Sequence, residues 1–411
     1  MKRNLTPVAI ILAMVLCTTT QACGDSGRIY GKVYTQDDEI YEGRIRWDDH
    51  ETFWDDILDA TKSGSSRGER PSQQVERRIE ILGIKISWTE DQEADGHRRF
   101  GIRLGRLRSI KRRSRNSAVL ELKDGSRIRV SSSGTDIGSA NRGIVVDDQD
   151  VGRVTIDWAD FEKVVFSPEP MHEAKDEDDW RLYGTLTTWD GRDFQGFIMW
   201  DNDESLSSDI LDGESRGEEM EIPFSKIRAI ERKSSSSAMV ELTSGKKLRL
   251  RDSNDVNDEN RGIVVKVPHY GKVTVGWGEF ERVVFQSSAL VDITGYDHFD
   301  AGEPLYGVVW DDLGERYEGQ IRWDDDEAMT YEFLDGDMED IPVMIEFEDI
   351  QAIQRRSSRS ATVKLKSGEA LKLQGTCDVN DENRGIVVES DDGEMVRLSW
   401  DEFERVEFGR P

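Results

Sequence analysis

The sequence predicts an all-β protein of three tandem small β-barrel or β-sandwich repeats, and three observations carry that expectation. The run Asp255-Val-Asn-Asp-Glu-Asn-Arg-Gly-Ile-Val-Val265 returns as Asp378 to Val388, and in looser form as Asp136 to Val146. Tryptophans keep step with it: the interval from Trp200 to Trp323, 123 residues, is repeated from Trp277 to Trp400. Within each copy apolar residues alternate with period two, the mark of strands with one buried face. A long-period repeat constrains architecture before single-residue propensities are consulted.

Residues 1–22 read as a signal segment. Lys2 and Arg3 give a basic start, Pro7 to Leu16 an apolar stretch too short to span a bilayer, and small and polar residues lead to Ala22-Cys23. Residues 23–27 form a tether. Cys23 with Gly24, Asp25 and Ser26 resembles the bacterial lipobox, in which the cysteine after a small residue is lipidated and becomes the N-terminus. Thr20 and Gln21 depart from that pattern, so plain cleavage and secretion is the alternative. Either route gives an exported protein at the cell envelope, in the periplasm or at the outer surface, touching membrane only through a lipid anchor at Cys23.

The first repeat spans 28–166, with an insertion at about 61–99. There Ser63 to Gly68 reads as a polar loop, Val75 to Leu82 as a short helix and Ile84 to Trp88 as a strand. The second and third repeats span 181–285 and 305–408. The linkers between them, 167–180 and 286–304, contain proline and acidic residues and lack periodicity.

Inside a repeat the elements follow from local pattern. Tyr183 to Trp189, Asp190-Gly191 and Phe194 to Trp200 form a hairpin. On its second arm Phe194, Gly196, Ile198 and Trp200 share a face, as do Tyr41, Gly43, Ile45 and Trp47, and Tyr317, Gly319, Ile321 and Trp323. Ala238 to Leu242 with Lys246 to Leu250 make a second hairpin, and Gly262 to Lys266 with Lys272 to Gly276 a third. Glu51 to Leu58 and its equivalents are expected to form one short helix. Short strands with Gly-rich turns favour closure, because open Val- and Ile-rich edges aggregate. The strand spacing fits an SH3-like or Sm-like barrel at the level of fold.

Composition excludes several functions. The formal charge is -29, and losing Lys2 and Arg3 with the signal leaves 53 basic against 84 acidic residues, or -31. Such a surface repels nucleic acid and anionic membrane. Cys17 leaves with the signal, so Cys23 and Cys377 cannot build a disulfide framework or a multi-cysteine metal cluster. A Cys23–Cys377 bridge is open only if Cys23 is not lipidated. The histidines, His50, His97, His172, His269 and His298, recur at no equivalent position, which removes the usual general base and zinc ligand from any repeated site. Walker, nucleophile-elbow and dinucleotide motifs are absent.

Three candidate sites remain. The first is the oxygen-rich run Asp255, Asn257, Asp258 and Asn260, repeated as Asp378, Asn380, Asp381 and Asn383. It could hold calcium, the one cofactor the sequence raises, or serve as a structural turn. The glycine position and apolar spacing of an EF-hand are missing. The second is Trp-Asp-x-x-Glu: Trp47, Asp48, Glu51; Trp200, Asp201, Glu204; Trp323, Asp324, Glu327. It reads as a carboxylate pair beside a sugar-stacking ring, or as a helix cap with Asp at the N-cap and Glu three residues on. The third is the basic series Arg112, Arg232 and Arg355, which would grip an anionic glycan or merely neutralise neighbouring acid.

The reading these features support is a non-catalytic binding or structural module of the bacterial envelope. Its partner is an envelope glycan or protein, or a second copy of itself, and repetition supplies avidity. The alternatives are a carboxylate-based hydrolase of envelope polysaccharide and a passive acidic spacer.

Overall fold

Alternating side chains make the strands. Tyr183–Thr188, for example, runs half-buried, buried, half-buried, buried in strict order, so one face meets the core and the other meets water. The computed structural model describes residues 26–62, 77–81, 84–88, 98–132, 134–170, 179–268, 270–287 and 294–410. The signal segment, Cys23 and most of the expected insertion lie outside these described residues. Among the described residues all regular structure is β-strand, apart from short 3-10 turns.

Two large antiparallel sheets result. The first has ten strands in the order Gly152–Ile156, Ile144–Asp148, Ile40–Arg46, Tyr30–Thr35, Phe161–Phe166, Leu107–Ser114, Ser117–Leu122, Arg127–Ser131, Ile57–Lys62 and Arg98–Arg103. The second has twenty strands, drawn from residues 183–286 and 306–408. In each of these stretches the pairings follow the same succession as in the first sheet.

No sheet closes on itself, which corrects the expected SH3-like or Sm-like barrel. The outer strand Gly271–Val275 pairs instead with Ile341–Glu346 of the next segment, placing Lys272 opposite Met344 and Val273 opposite Val343. An exposed edge is thus satisfied by its neighbour rather than by closure. Gly271 makes the approach possible: its φ is +114°, and an added Cβ would collide with the Met344 carbonyl oxygen.

Both expected short helices are also corrected. Arg77–Ile81 is a strand paired with Ile84–Trp88. Glu51 to Leu58 is a bridge, a turn and the start of strand Ile57–Lys62. Its residues Thr52, Phe53 and Trp54 are aromatic or β-branched, types that lose side-chain freedom in a helix.

The landmark tryptophans are the centre of the core. Trp47, Trp200 and Trp323 are fully buried. They meet Trp158, Trp277 and Trp400 edge to face, each with centroids 6.3 Å apart. Their indole N–H groups donate to the carbonyls of Asp136, Asp255 and Asp378 at 2.9, 3.0 and 3.0 Å. Buried Trp needs such a partner, so each bond ties the ring to the start of an Asp-to-Arg-Gly run.

One hydrophobic cluster serves residues 182–406 as a whole. A second serves residues 29–166 but borrows Tyr296, Phe299 and Tyr331 from farther along the chain. Tyr296 lies 4.5 Å from Trp54 between ring centres, and its hydroxyl donates to the Leu107 carbonyl at 2.8 Å. Buried Arg106 completes this junction, donating to Glu346 at 2.7 Å and to Asp300 at 2.9 Å, and pairing with Glu348. Residues 286–304 therefore carry part of the first core.

Candidate functional site

The Trp-Asp-x-x-Glu motif builds a tight reversal, not a helix start, which corrects the capping reading. Trp47 N–H donates to the Glu51 carbonyl at 2.8 Å, and Glu51 N–H donates back to the Trp47 carbonyl at 2.9 Å. Two successive left-handed residues make the bend: Asp48 and Asp49 at φ 51° and 62°, Asp201 and Asn202 at 50° and 55°, Asp324 and Asp325 at 46° and 56°. Asp and Asn tolerate this region better than other residues with side chains.

The bend aims its first Asp at the other motif. Asp48, Asp201 and Asp324 have no exposed surface, and each accepts a bond from the backbone N–H of Arg142, Arg261 or Arg384. Arg261 Nη2 also donates to Asp201 Oδ2 at 2.8 Å, and Arg384 Nη2 to Asp324 Oδ2 at 2.7 Å. Two motifs far apart in sequence thus form one unit. Because the tryptophan rings are enclosed, Trp47, Trp200 and Trp323 present no face for a sugar to stack upon.

The oxygen-rich run spends its side chains on turn amides. Asp255 and Asp378 accept from Asp212 N–H and Asp335 N–H, each at 2.7 Å. Asn257 and Asn380 accept from Glu259 N–H and Glu382 N–H, at 2.7 and 2.8 Å. Asn260 and Asn383 accept from Gly262 N–H and Gly385 N–H, at 3.0 and 2.9 Å. Asp258 and Asp381 are exposed. These oxygens point to separate amides and do not converge on a common point.

Each motif glutamate stands beside an aspartate of the other run: Glu51 and Asp136 are both buried, while Glu204 and Glu327 are half-buried beside buried Asp255 and Asp378. Burial, then the neighbouring Asp255, pushes Glu204 up to about 9, while burial lifts Asp255 itself to about 6. Burial, then Asp378, pushes Glu327 up to about 10. Glu51 and Asp136 are raised well above the ordinary carboxylate range by burial, with Asp56 next for Glu51, and Glu51 next for Asp136. One oxygen of each glutamate, Oε2 of Glu51, Glu204 and Glu327, is enclosed without a hydrogen-bond partner.

The first of these pairs borders a cavity. A space of about 320 Å³ lies between residues 50–142 and residues 199–272. His50, Glu51, Asp59 and Asp136 line one side, and Arg261, Lys266 and Lys272 line the other. Salt bridges hold the two sides together: Arg46 to Asp209 at 2.9 Å, Arg181 to Asp55 at 2.9 Å, and Lys266 to Asp56. Asp55 is held well below the usual carboxylate range by Arg181 and Lys266, against the opposing effect of burial.

Arg112, Arg232 and Arg355 are absent from this lining. They sit on strands Leu107–Ser114, Ile227–Ser234 and Ile350–Ser357. Arg232 donates to the Gly278 carbonyl at 3.2 Å, and Arg355 pairs with Asp401 at 3.7 Å.

Sequence reasoning passed over His50. Its signal was present: it stands inside the bend where the other copies have Asp203 and Asp326. A search for repeated histidines discards a residue that matters because it is not repeated. In comparisons with known proteins, no family model, curated protein or solved structure matches the chain.

Proposed function

We propose that the chain is an exported binding module of the cell envelope, three copies of one β unit, and that it takes a small polar group at the cavity between the first two. The group belongs to an envelope glycan or protein, and Cys23 carries the lipid that tethers the module. The observation that carries the reading is the cavity itself. It is walled by two copies, with buried acid on one side and Arg and Lys on the other. Pockets with convergent polar groups of this size suit small ligands.

Two further features support binding over catalysis. Glu51 of the Trp-Asp-x-x-Glu motif is buried, its counterparts Glu204 and Glu327 are half-buried, and of the three only Glu51 lines the cavity. Buried ion pairs fasten the units to one another, which suits a preformed site.

The test is retention against turnover. Purified protein is incubated with envelope polysaccharides and with envelope protein extracts fractionated by charge. Retention without released products, lost on Lys272→Glu, is expected. Product release abolished by Glu51→Gln would establish a hydrolase instead, and neither result would leave a spacer. Fatty-acid labelling of wild type against Cys23→Ser reads the anchor.

A further inference from the structure

We propose that Asp48, His50, Glu51 and Asp136 bind one divalent first-row metal ion, of the zinc or manganese kind, at the acidic wall of the cavity. The inference rests on the reading of that cavity as a ligand site and names an inorganic ligand for it. Each of the four residues offers one donor atom, these atoms lie within 4.8 Å of one another, and all four residues are buried. Tetrahedral zinc, with bonds of about 2.0–2.2 Å, needs donors about 3.4 Å apart. Side-chain movements of about 1 Å or less would close the set around an ion.

Two unsatisfied atoms point to a cation, the aspartate Oδ2 being without a partner at Asp48 but not at Asp201 or Asp324, and the glutamate Oε2 at all three positions. Asp48 Oδ2 and Glu51 Oε2 are enclosed and accept no hydrogen bond. The Asp48 side chain is 0% exposed and that of Glu51 5%. Bare carboxylate oxygens out of water are strongly unfavourable unless a proton or a cation meets them. One proton can serve one acid, whereas one metal ion serves all of them.

The other two copies act as controls within the same chain. There the guanidinium of the Asn-Arg-Gly run closes onto the equivalent aspartate, at 2.8 Å for Arg261 and 2.7 Å for Arg384. In the first copy Arg142 Nε stays 3.5 Å from Asp48 Oδ2, while its Nη1 approaches Asp203 of the next copy at 3.6 Å. The arginine is shared across the junction, and Asp48 Oδ2 is left for another partner. At the same place a histidine replaces aspartate.

The histidine can present the right nitrogen. His50 Nδ1 lies 2.9 Å from the Asp48 carbonyl oxygen, which accepts Nδ1–H in the tautomer that a metal at Nε2 requires. Nε2 faces Glu51 Oε1. Arg142 Nη2 also touches Nδ1, and Asp203, which accepts from Arg261 at 2.9 Å through Oδ2, approaches that guanidinium through Oδ1. An imidazole among carboxylates favours zinc-like ions over calcium, and the carboxylates admit manganese. Three carboxylates around a dication leave one negative charge, which Arg142 balances.

The test uses the full chain stripped with a chelator and titrated calorimetrically with ZnCl2 and, separately, MnCl2. Bound metal is counted by elemental mass spectrometry after gel filtration. One ion per chain is expected, with affinity at least tenfold weaker in both Glu51→Gln and His50→Asn. Asparagine at position 50 approximates the aspartate that the other copies carry there, so this variant keeps the fold, as circular dichroism will verify. Absence of a stoichiometric ion from wild type, or wild-type affinity in folded His50→Asn, overturns the proposal. Glycan or protein retention is scored apart, on metal-free protein with Lys272→Glu. Its failure sinks the binding-module reading while leaving the metal result standing, and the reverse holds too.

Discussion

Glu204→Gln isolates one of the motif acids in a bend that carries Asp203 where the first has His50. In the folded chain burial and then Asp255 push Glu204 up to about 9, from the ordinary 4.5 of a free glutamate. The fold therefore keeps a proton that the unfolded chain has shed. A raised acid contributes fully below about pH 4.5, and that contribution drains away as pH climbs toward 9. Each pH unit is worth about 1.4 kcal/mol, so the ceiling between pH 5 and pH 8 is about 4 kcal/mol. Residual solvent contact lowers the expected effect to about 2–3 kcal/mol. Glutamine has the shape of the protonated acid and does not titrate. At pH 5 the variant should equal wild type or fall about 1 kcal/mol below it, since its amide finds no acceptor beside the orphaned Oε2 position. By pH 8 the difference should have moved about 2–3 kcal/mol in the variant's favour. Urea unfolding followed by tryptophan fluorescence at both pH values measures it. Parallel stability curves for the two proteins would refute the reasoning, because Glu204 would then be charged in the fold at neutral pH.

Three further perturbations address the junctions. Arg106→Ala leaves buried Glu346 without its 2.7 Å partner and should destabilise the chain by about 3–5 kcal/mol in urea, partly restored by Glu346→Gln in the same chain. Phe299→Ala empties the space against Gly105 and should lower stability by about 3–5 kcal/mol, with new protease cleavage near residues 294–301 as the readout. Gly271→Ala puts a methyl group onto the Met344 carbonyl at a φ of +114°. It should cost about 2–4 kcal/mol and raise amide exchange at the Lys272–Met344 and Val273–Val343 pairs, leaving the first sheet protected.

How far the sequence reached depended on whether the relevant contact was local. Period-two alternation is set by each strand's own residues, so Phe194 to Trp200 and its counterparts were readable as strands. Turn residues were readable for the same reason: Gly191 and Gly245 sit at positive φ where a dipeptide announced a bend. Closure was not readable, because it depends on whether Gly271–Val275 finds a partner inside its own copy or in the next. The helix expected over Glu51 to Leu58 failed on a subtler point. An Asp with a Glu three residues on is a capping pattern only if the Asp adopts extended backbone, and Asp48 is left-handed at φ 51°. Spacing alone does not distinguish those two conformations.

The candidate site was hidden by the recurrence of the same motifs along the sequence. Averaging over copies selects what the shared bend needs: an aspartate for the left-handed turn, an arginine to close upon it, and a glutamate beneath the tryptophan. All three positions are occupied in every copy. In the second and third the arginine satisfies the aspartate, since Arg261 and Arg384 close upon Asp201 and Asp324. The proposed four-residue site requires that closure to be incomplete. The first copy meets the condition through one substitution and one neighbour: His50 stands where aspartate stood, and Asp203 lies within 3.6 Å of Arg142. The neighbour matters alongside the substitution, because the Arg142 guanidinium that approaches Asp203 also contacts His50 Nδ1. Asp203→Ala therefore separates the two contributions. If Arg142 is held away by Asp203, the variant should let it close upon Asp48, weakening Zn2+ binding several-fold while leaving His50 and Glu51 in place. Unchanged zinc affinity in Asp203→Ala would show that the opening at Asp48 owes nothing to the second copy.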